Sequence, residues 1–178
     1  MSLIGIQVPH QVARLLQEIE VPGIKMDSAS LHITLFHFDK FSIKGVSSVM
    51  ECAYNISKIT CPFSVELRCV DYFPVGEGSP YPIITPVISP KLHNLRKKIQ
   101  KSLDDNDLEY SKTFKDYKPH ITLSTNEEKI KKTKIPPIEF SVQELVIWAG
   151  DNGDDKMYIT LPLILKKEEE KIVCEVCE

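Results

Sequence analysis

No stretch of this chain is apolar for long enough to cross a bilayer; every hydrophobic run falls well short of the roughly eighteen residues a membrane helix needs. Cysteine is sparse, five residues at Cys52, Cys61, Cys69, Cys174 and Cys177. Their odd number and irregular spacing exclude a disulfide framework, so a reducing, cytoplasmic setting is expected. Cys174 and Cys177 form a lone C-x-x-C with no second half and no nearby His, and read as part of a loose tail rather than a zinc site. The first ten residues lack the basic and apolar blocks of a secretory leader, and none is expected. Positive charge is not in excess, with 22 Lys and Arg against 25 Asp and Glu and a net charge of −3. That balance excludes the electrostatic footprint of tight duplex nucleic-acid binding, although a small phosphorylated ligand needs only a local cation. Glycine is scarce too, seven residues. Gly76 and Gly78 precede Pro80 and an apolar strand rather than a helix, so no phosphate-cradling loop is present. No G-x-S-x-G elbow occurs either. Kinases, dinucleotide oxidoreductases and elbow-type hydrolases are therefore set aside.

What the chain does contain is the tetrapeptide His-Ile-Thr-Leu twice, at His32-Ile33-Thr34-Leu35 and His120-Ile121-Thr122-Leu123. Only five His residues occur in 178, so an accidental second copy has odds of roughly one in a thousand or less at ordinary residue usage. In a strand, alternate side chains share a face. Each copy thus offers a His and a Thr on one side, and an Ile and a Leu to bury on the other.

The rest of the chain places these motifs. Leu3 to Val8 suits a buried strand, and Val12, Leu15, Leu16 and Ile19 follow helical spacing from Pro9 until Val21-Pro22-Gly23. The first motif strand runs from Leu31 to about Phe38. By alternation Phe36 and Phe38 continue its functional face, and His37 falls on the opposite, structural one. Lys44 to Ile59 is helical in spacing, and Pro62 to Phe73 alternates as a strand before the turn-rich stretch at 74–80, the expected lobe boundary. The order then repeats: an apolar strand from Tyr81 to Ile88, Ser89 as an N-cap, Pro90 in the first turn, and Leu92, Leu95, Ile99 and Leu103 on one helical face. Asp104 to Tyr117 is polar and irregular, and Lys118-Pro119 delivers the second motif in extended form. Thr125 to Lys134 reads as a solvated, lysine-rich loop, in which one lysine could face a phosphate. Glu139 to Ala149 and Lys156 to Leu165 read as strands joined by a hairpin at Gly150 to Gly153. Residues 166–178 form a charged, flexible tail, leaving 1–165 as a single bilobal domain.

Two imidazoles in one cleft supply an acid and a base near neutral pH, because His has an ordinary pKa near 6.5. Phosphodiester cleavage needs both, and two Thr hydroxyls can donate to the non-bridging oxygens as charge develops. The motif strands carry no carboxylate beside either His, so no metal site is expected and no cofactor is required.

In these two H-x-T motifs with hydrophobic flanks, one in each half of the chain, the sequence resembles the 2H phosphoesterases over roughly residues 3–165. The second half, with Ser89-Pro90-Lys91-Leu92, Leu95 and Tyr117-Lys118-Pro119-His120-Ile121-Thr122-Leu123, looks like the bacterial and phage branch of 2′-5′ RNA ligase-like proteins. The resemblance implies an α+β, bilobal fold of two pseudo-symmetric β-α-β lobes, with antiparallel-rich sheets lining a central cleft. It implies His32 and His120 as the catalytic pair and Thr34 and Thr122 as phosphate ligands. The implied activity is metal-independent cleavage of a 2′,3′-cyclic phosphate or 2′-5′ linkage in a nucleotide or short RNA, by a monomer. Degradation of cyclic di- or oligonucleotide immune signals, as in phage members, is the alternative enzyme reading; a non-catalytic nucleotide-binding module is the alternative outside enzymes. No Arg lies near either motif in sequence, so Lys or backbone groups are expected where relatives steady the phosphate with Arg. Phe36 and Ser124 share faces with the motif pairs and are candidates to line the cleft, with Lys118 beside them. Tyr72, Tyr81 and Trp148 are candidates to stack on a base, with core packing as the competing reading.

Overall fold

The computed structural model describes residues 2–38, 43–76, 78–112, 117–150 and 157–164. The tail at 166–178, with Cys174 and Cys177, lies outside the described residues, as does the expected hairpin turn apart from Gly150. Along the chain run β1 (Ser2–Gln7), α1 (His10–Glu18), β2 (Ile24–Lys25), a 3-10 turn (Ser28–Ser30), β3 (His32–Phe38), α2 (Ile43–Ser57) and β4 (Phe63–Tyr72). The second half holds β5 (Tyr81–Ile88), α3 (Pro90–Asp105), β6 (His120–Asn126), β7 (Thr133–Val142), β8 (Glu144–Ala149) and β9 (Met157–Pro162). The architecture is α+β, with every described strand pairing antiparallel.

The α3 helix begins where its chemistry dictates. Ser89 Oγ accepts from the Leu92 N–H at 3.3 Å, and Pro90 follows at the first helical position, where its missing N–H costs nothing. Its stripe of Leu92, Leu95, Ile99 and Leu103 is fully buried, each side chain contributing roughly 1.5–3 kcal/mol of burial. Ile33, Leu35, Ile121 and Leu123 join the same core, together with Val49 and Ala53 of α2. The hydrophobic side of both motifs thus holds the strands to the helices.

The sheet order is β7-β4-β5-β6-β3-β1-β8-β9, with β2 paired to β6. This order is symmetric about the β6–β3 seam, where β5 answers β1 and β4 answers β8. The two halves of the sheet are nevertheless not the two halves of the sequence. β4 belongs to the first half of the chain but pairs with β5, so the turn at 74–80 joins neighbours within one half-sheet. β8 comes late but pairs with β1. The stretch expected as one strand at 139–149 is two, divided at Gln143, with β7 paired to β4 and β8 to β1 and β9. One residue joins strands far apart in the sheet order, so the sheet is strongly curved. β7 also extends into the expected loop, and as a terminal strand it tolerates Pro136 and Pro137.

Each motif strand carries a bulge at its Leu. Between β1 and β3, Gly5 faces Thr34 and Ile4 faces Phe36, leaving Leu35 as the extra residue. Between β5 and β6, Ile84 faces Thr122 and Ile83 faces Ser124, leaving Leu123 extra. An extra residue reverses the alternation that follows it. Phe36, Phe38 and Ser124 therefore turn to the core side and His37 to the site side, the reverse of the simple alternating expectation.

Candidate active site

The seam between the half-sheets is the Ile33–Ile121 pair of β3 and β6. Antiparallel register then sets His32 beside Thr122 and Thr34 beside His120. Directly opposed residues lie about 4.5–5.5 Å apart at Cα, and diagonal neighbours roughly 7–8 Å. The two imidazoles occupy one diagonal of a four-residue patch and the two hydroxyls the other, all partly exposed on the face opposite the core.

Both rings are anchored in the same way. His32 Nδ1 lies 2.7 Å from the Ser30 carbonyl, and His120 Nδ1 lies 2.7 Å from the Lys118 carbonyl, each two residues upstream. A carbonyl only accepts, so in the neutral ring the proton sits on Nδ1 and Nε2 is left as the basic nitrogen. Neither Nε2 nor the Thr34 and Thr122 hydroxyls are among the buried unpartnered side-chain atoms, which among the described residues are Gln7 Oε1 and Thr85 Oγ1. Burial pushes the pKa of both imidazoles below the ordinary 6.5, partly offset by the carbonyl bonds that favour the charged forms. His32 is lowered further by the charges of His37 and His120.

A cavity of about 220 Å³ opens beside the patch, lined by Thr34 and His120 together with Phe36, His37, Lys118 and Arg96. Phe36 reaches the cavity from the core side, buried beneath the Arg96 guanidinium at 4.8 Å from its ring centre. Ser124 does not line a cleft: it is fully buried and its hydroxyl donates to the Pro22 carbonyl at 2.7 Å. Trp148 meets the His32 ring edge-on at 4.6 Å, with Tyr158 6.0 Å beyond it. Tyr72 and Tyr81 pair with each other at 5.8 Å under Lys129 of the expected lysine-rich loop, away from the cavity lining.

Four residues of the site escaped sequence reasoning. Phe73 stacks against His120 at 4.6 Å, although it follows the last residue of its strand. Tyr117 donates to the Thr34 carbonyl at 3.1 Å. His37 was assigned to the wrong face for want of the bulge. Arg96 comes from α3, 24 positions before the second motif, and corrects the expectation that no Arg is near. Its signal was its setting: it flanks the buried stripe with no carboxylate three or four positions away on the helix. Among the described residues, no three His, Cys, Asp or Glu side chains are grouped as a metal ion would require.

Residues 8–154 match the family model of the 2′-5′ RNA ligase superfamily. No curated protein matches the sequence. Among solved structures, the chain is similar to TT0787 of Thermus thermophilus, with a TM-score of 0.71 at 16% identity over 91% of this chain and 97% of that one. It is also similar to E. coli LigT complexed with 3′-AMP (TM-score 0.64, 18% identity, 93% and 98% covered) and complexed with phosphate (0.63, 17%, 93% and 97%). At these identities the structural likeness establishes a shared fold.

Proposed function

The chain belongs to the 2′-5′ RNA ligase superfamily of 2H phosphoesterases, and from that premise we propose that residues 1–165 form one catalytic unit, a phosphodiesterase acting on a 2′,3′-cyclic phosphate or 2′-5′ linkage. The observation that carries this reading is the matched pair of 2.7 Å bonds that leave the Nε2 atoms of His32 and His120 as the reactive nitrogens of one patch.

One imidazole works as the base and the other as the acid; burial opposes charging of both rings, so both can serve near neutral pH. The neutral ring's Nε2 takes a proton from the attacking water as the new P–O bond forms. The charged ring's Nε2–H protonates the departing ribose oxygen as the old P–O bond breaks, leaving a phosphate monoester. Solvent then exchanges protons with both rings and resets them. The Thr34 and Thr122 hydroxyls donate to the non-bridging oxygens, a class of contact worth about 10²–10³ in rate where measured. Every proton transfer is supplied by these side chains, so the chemistry needs no metal. Trp148 beside His32 and Phe73 beside His120 offer faces for a base. The E. coli LigT complex with 3′-AMP is consistent with this substrate class, since 3′-AMP is the monoester left when the 2′ oxygen departs from adenosine 2′,3′-cyclic phosphate.

The test is a panel of 2′,3′-cyclic nucleotides, 2′-5′ oligoadenylate and cyclic dinucleotides, assayed with chelator present, for the native chain and for H32A and H120A. Cleavage of the first or second class, abolished in both variants, is expected. Cleavage confined to cyclic dinucleotides selects the immune-signal reading. Tight binding without turnover makes the chain a binding module, and turnover that survives both substitutions means that the site lies elsewhere.

A further inference from the structure

Arg96 is placed as few arginines are. Its guanidinium lies over the Phe36 ring at 4.8 Å and the Tyr117 ring at 4.4 Å. Its Nε–H donates to the Leu35 carbonyl at 3.3 Å, at the bulge that follows Thr34. A long 3.5 Å approach to Gln100 is its one other hydrogen bond among the described residues. Among the described residues the ion pairs join Arg68 to Glu66 and Lys101 to Asp105, and neither involves Arg96. A half-buried guanidinium is costly to keep unless its N–H groups find partners. Two stacked rings and a backbone bond hold its plane in one orientation, which leaves the outer N–H groups for a ligand at little further entropic cost. Arg96 lines the same cavity as Thr34 and His120, with Lys118 and Ser111 also on its walls. In a chain of net charge −3, this is a local concentration of positive charge rather than a share of a general one.

We propose that Arg96 forms a second anion subsite, which receives a phosphate group of the substrate other than the one attacked. The substrate class is then a nucleotide carrying two phosphates, such as a 5′-phosphorylated or oligonucleotide end bearing a 2′,3′-cyclic phosphate, rather than a mononucleoside cyclic phosphate. The cavity suits a fragment of this kind. At about 220 Å³ it is smaller than the roughly 300–1,000 Å³ of sites that enclose a whole drug-sized ligand. Phe73, Val75 and Pro82 add apolar walls to it. The proposal rests on the phosphodiesterase reading for its substrate, but not for its binding.

The experiment compares kcat/KM for adenosine 2′,3′-cyclic phosphate with and without a 5′-phosphate, in the native chain, R96K and R96Q. In parallel, calorimetry compares the binding of adenosine 3′-phosphate and adenosine 3′,5′-bisphosphate. The native chain should favour the two-phosphate form in both measurements. R96Q should reduce that preference about ten- to hundredfold, the range of a charge-assisted hydrogen bond, and R96K should keep part of it. A merely structural arginine would lower both substrates together, and an unchanged preference in R96Q overturns the proposal. Absence of preference in the native chain overturns it as well, whatever the variants do. If the native chain turns over neither substrate yet binds the bisphosphate in an Arg96-dependent way, the phosphodiesterase reading fails and the subsite stands.

Discussion

Replacing Gly5 with alanine should move the candidate site without touching it. Gly5 lies on β1 opposite Thr34, and a Cβ there would fall 2.7 Å from the Ile33 carbonyl oxygen and 2.9 Å from Leu3 Cδ1. The Leu3 side chain can turn aside. The Ile33 carbonyl cannot, because Ile33 is the residue through which β3 pairs with β6. Relieving the contact to an ordinary separation near 3.4 Å requires β3 to shift by about 0.7 Å. Overpacking of this kind costs about 1–3 kcal/mol. For a chain of this length that corresponds to a Tm lower by roughly 2–12 °C. Because a misplacement of about 1 Å can cost 10²-fold in rate, G5A should also lose about ten- to hundredfold in kcat on the cyclic nucleotide. The assay pairs calorimetric unfolding with steady-state kinetics on G5A and on a control, G76A, whose added Cβ meets nothing within 4 Å. The control should match the native chain in both. Native-like Tm and kcat in G5A would refute the argument, and a lowered Tm with native kcat would break the link between β1 packing and the placement of Thr34.

Two further outcomes follow from the site. Burial holds both imidazoles below 6.5 in the folded chain, so the kcat/KM optimum should lie on the acid side of 6.5. The unfolded chain binds more protons than the folded one across that window, so Tm should rise with pH through it. H32Q should flatten that rise; a Tm independent of pH between 5 and 7 would contradict the lowered values. S124A removes the bond to the Pro22 carbonyl and should cost about 0.5–1.5 kcal/mol of stability while leaving kcat/KM within about twofold, whereas a large kinetic loss would return Ser124 to the cleft.

The four central residues were legible because His and Thr two apart in a strand must share a face, and because the flanking Ile and Leu declare which face is buried. Helix α3 was legible through its cap, its proline and its apolar stripe. Alternation failed one residue beyond each motif, at Leu35 and Leu123, because a bulge leaves no mark in local propensity: a Leu that buries in register and a Leu that bulges read alike. Phe36, Ser124 and His37 were given the wrong face for that single reason, although Phe36 still lines the cavity. Arg96 and Phe73 were missed for another, since their approach to the site depends on how helix and sheet pack rather than on neighbouring letters. The strand partners of β4 and β8 were equally invisible, because strand order is a property of the closed sheet.

That last feature has a consequence for how the chain can be taken apart. With β4 pledged to the later half and β8 to the earlier one, the arrangement is that of two subunits which have swapped arms and then been fused through the turn at 74–80. A cut in that turn would leave the later fragment with a gap between β7 and β5 shaped for β4, and the earlier fragment with β1 as an open edge where β8 belongs. Neither fragment could assemble its sheet in isolation, and the two would find their shape only as a reunited pair.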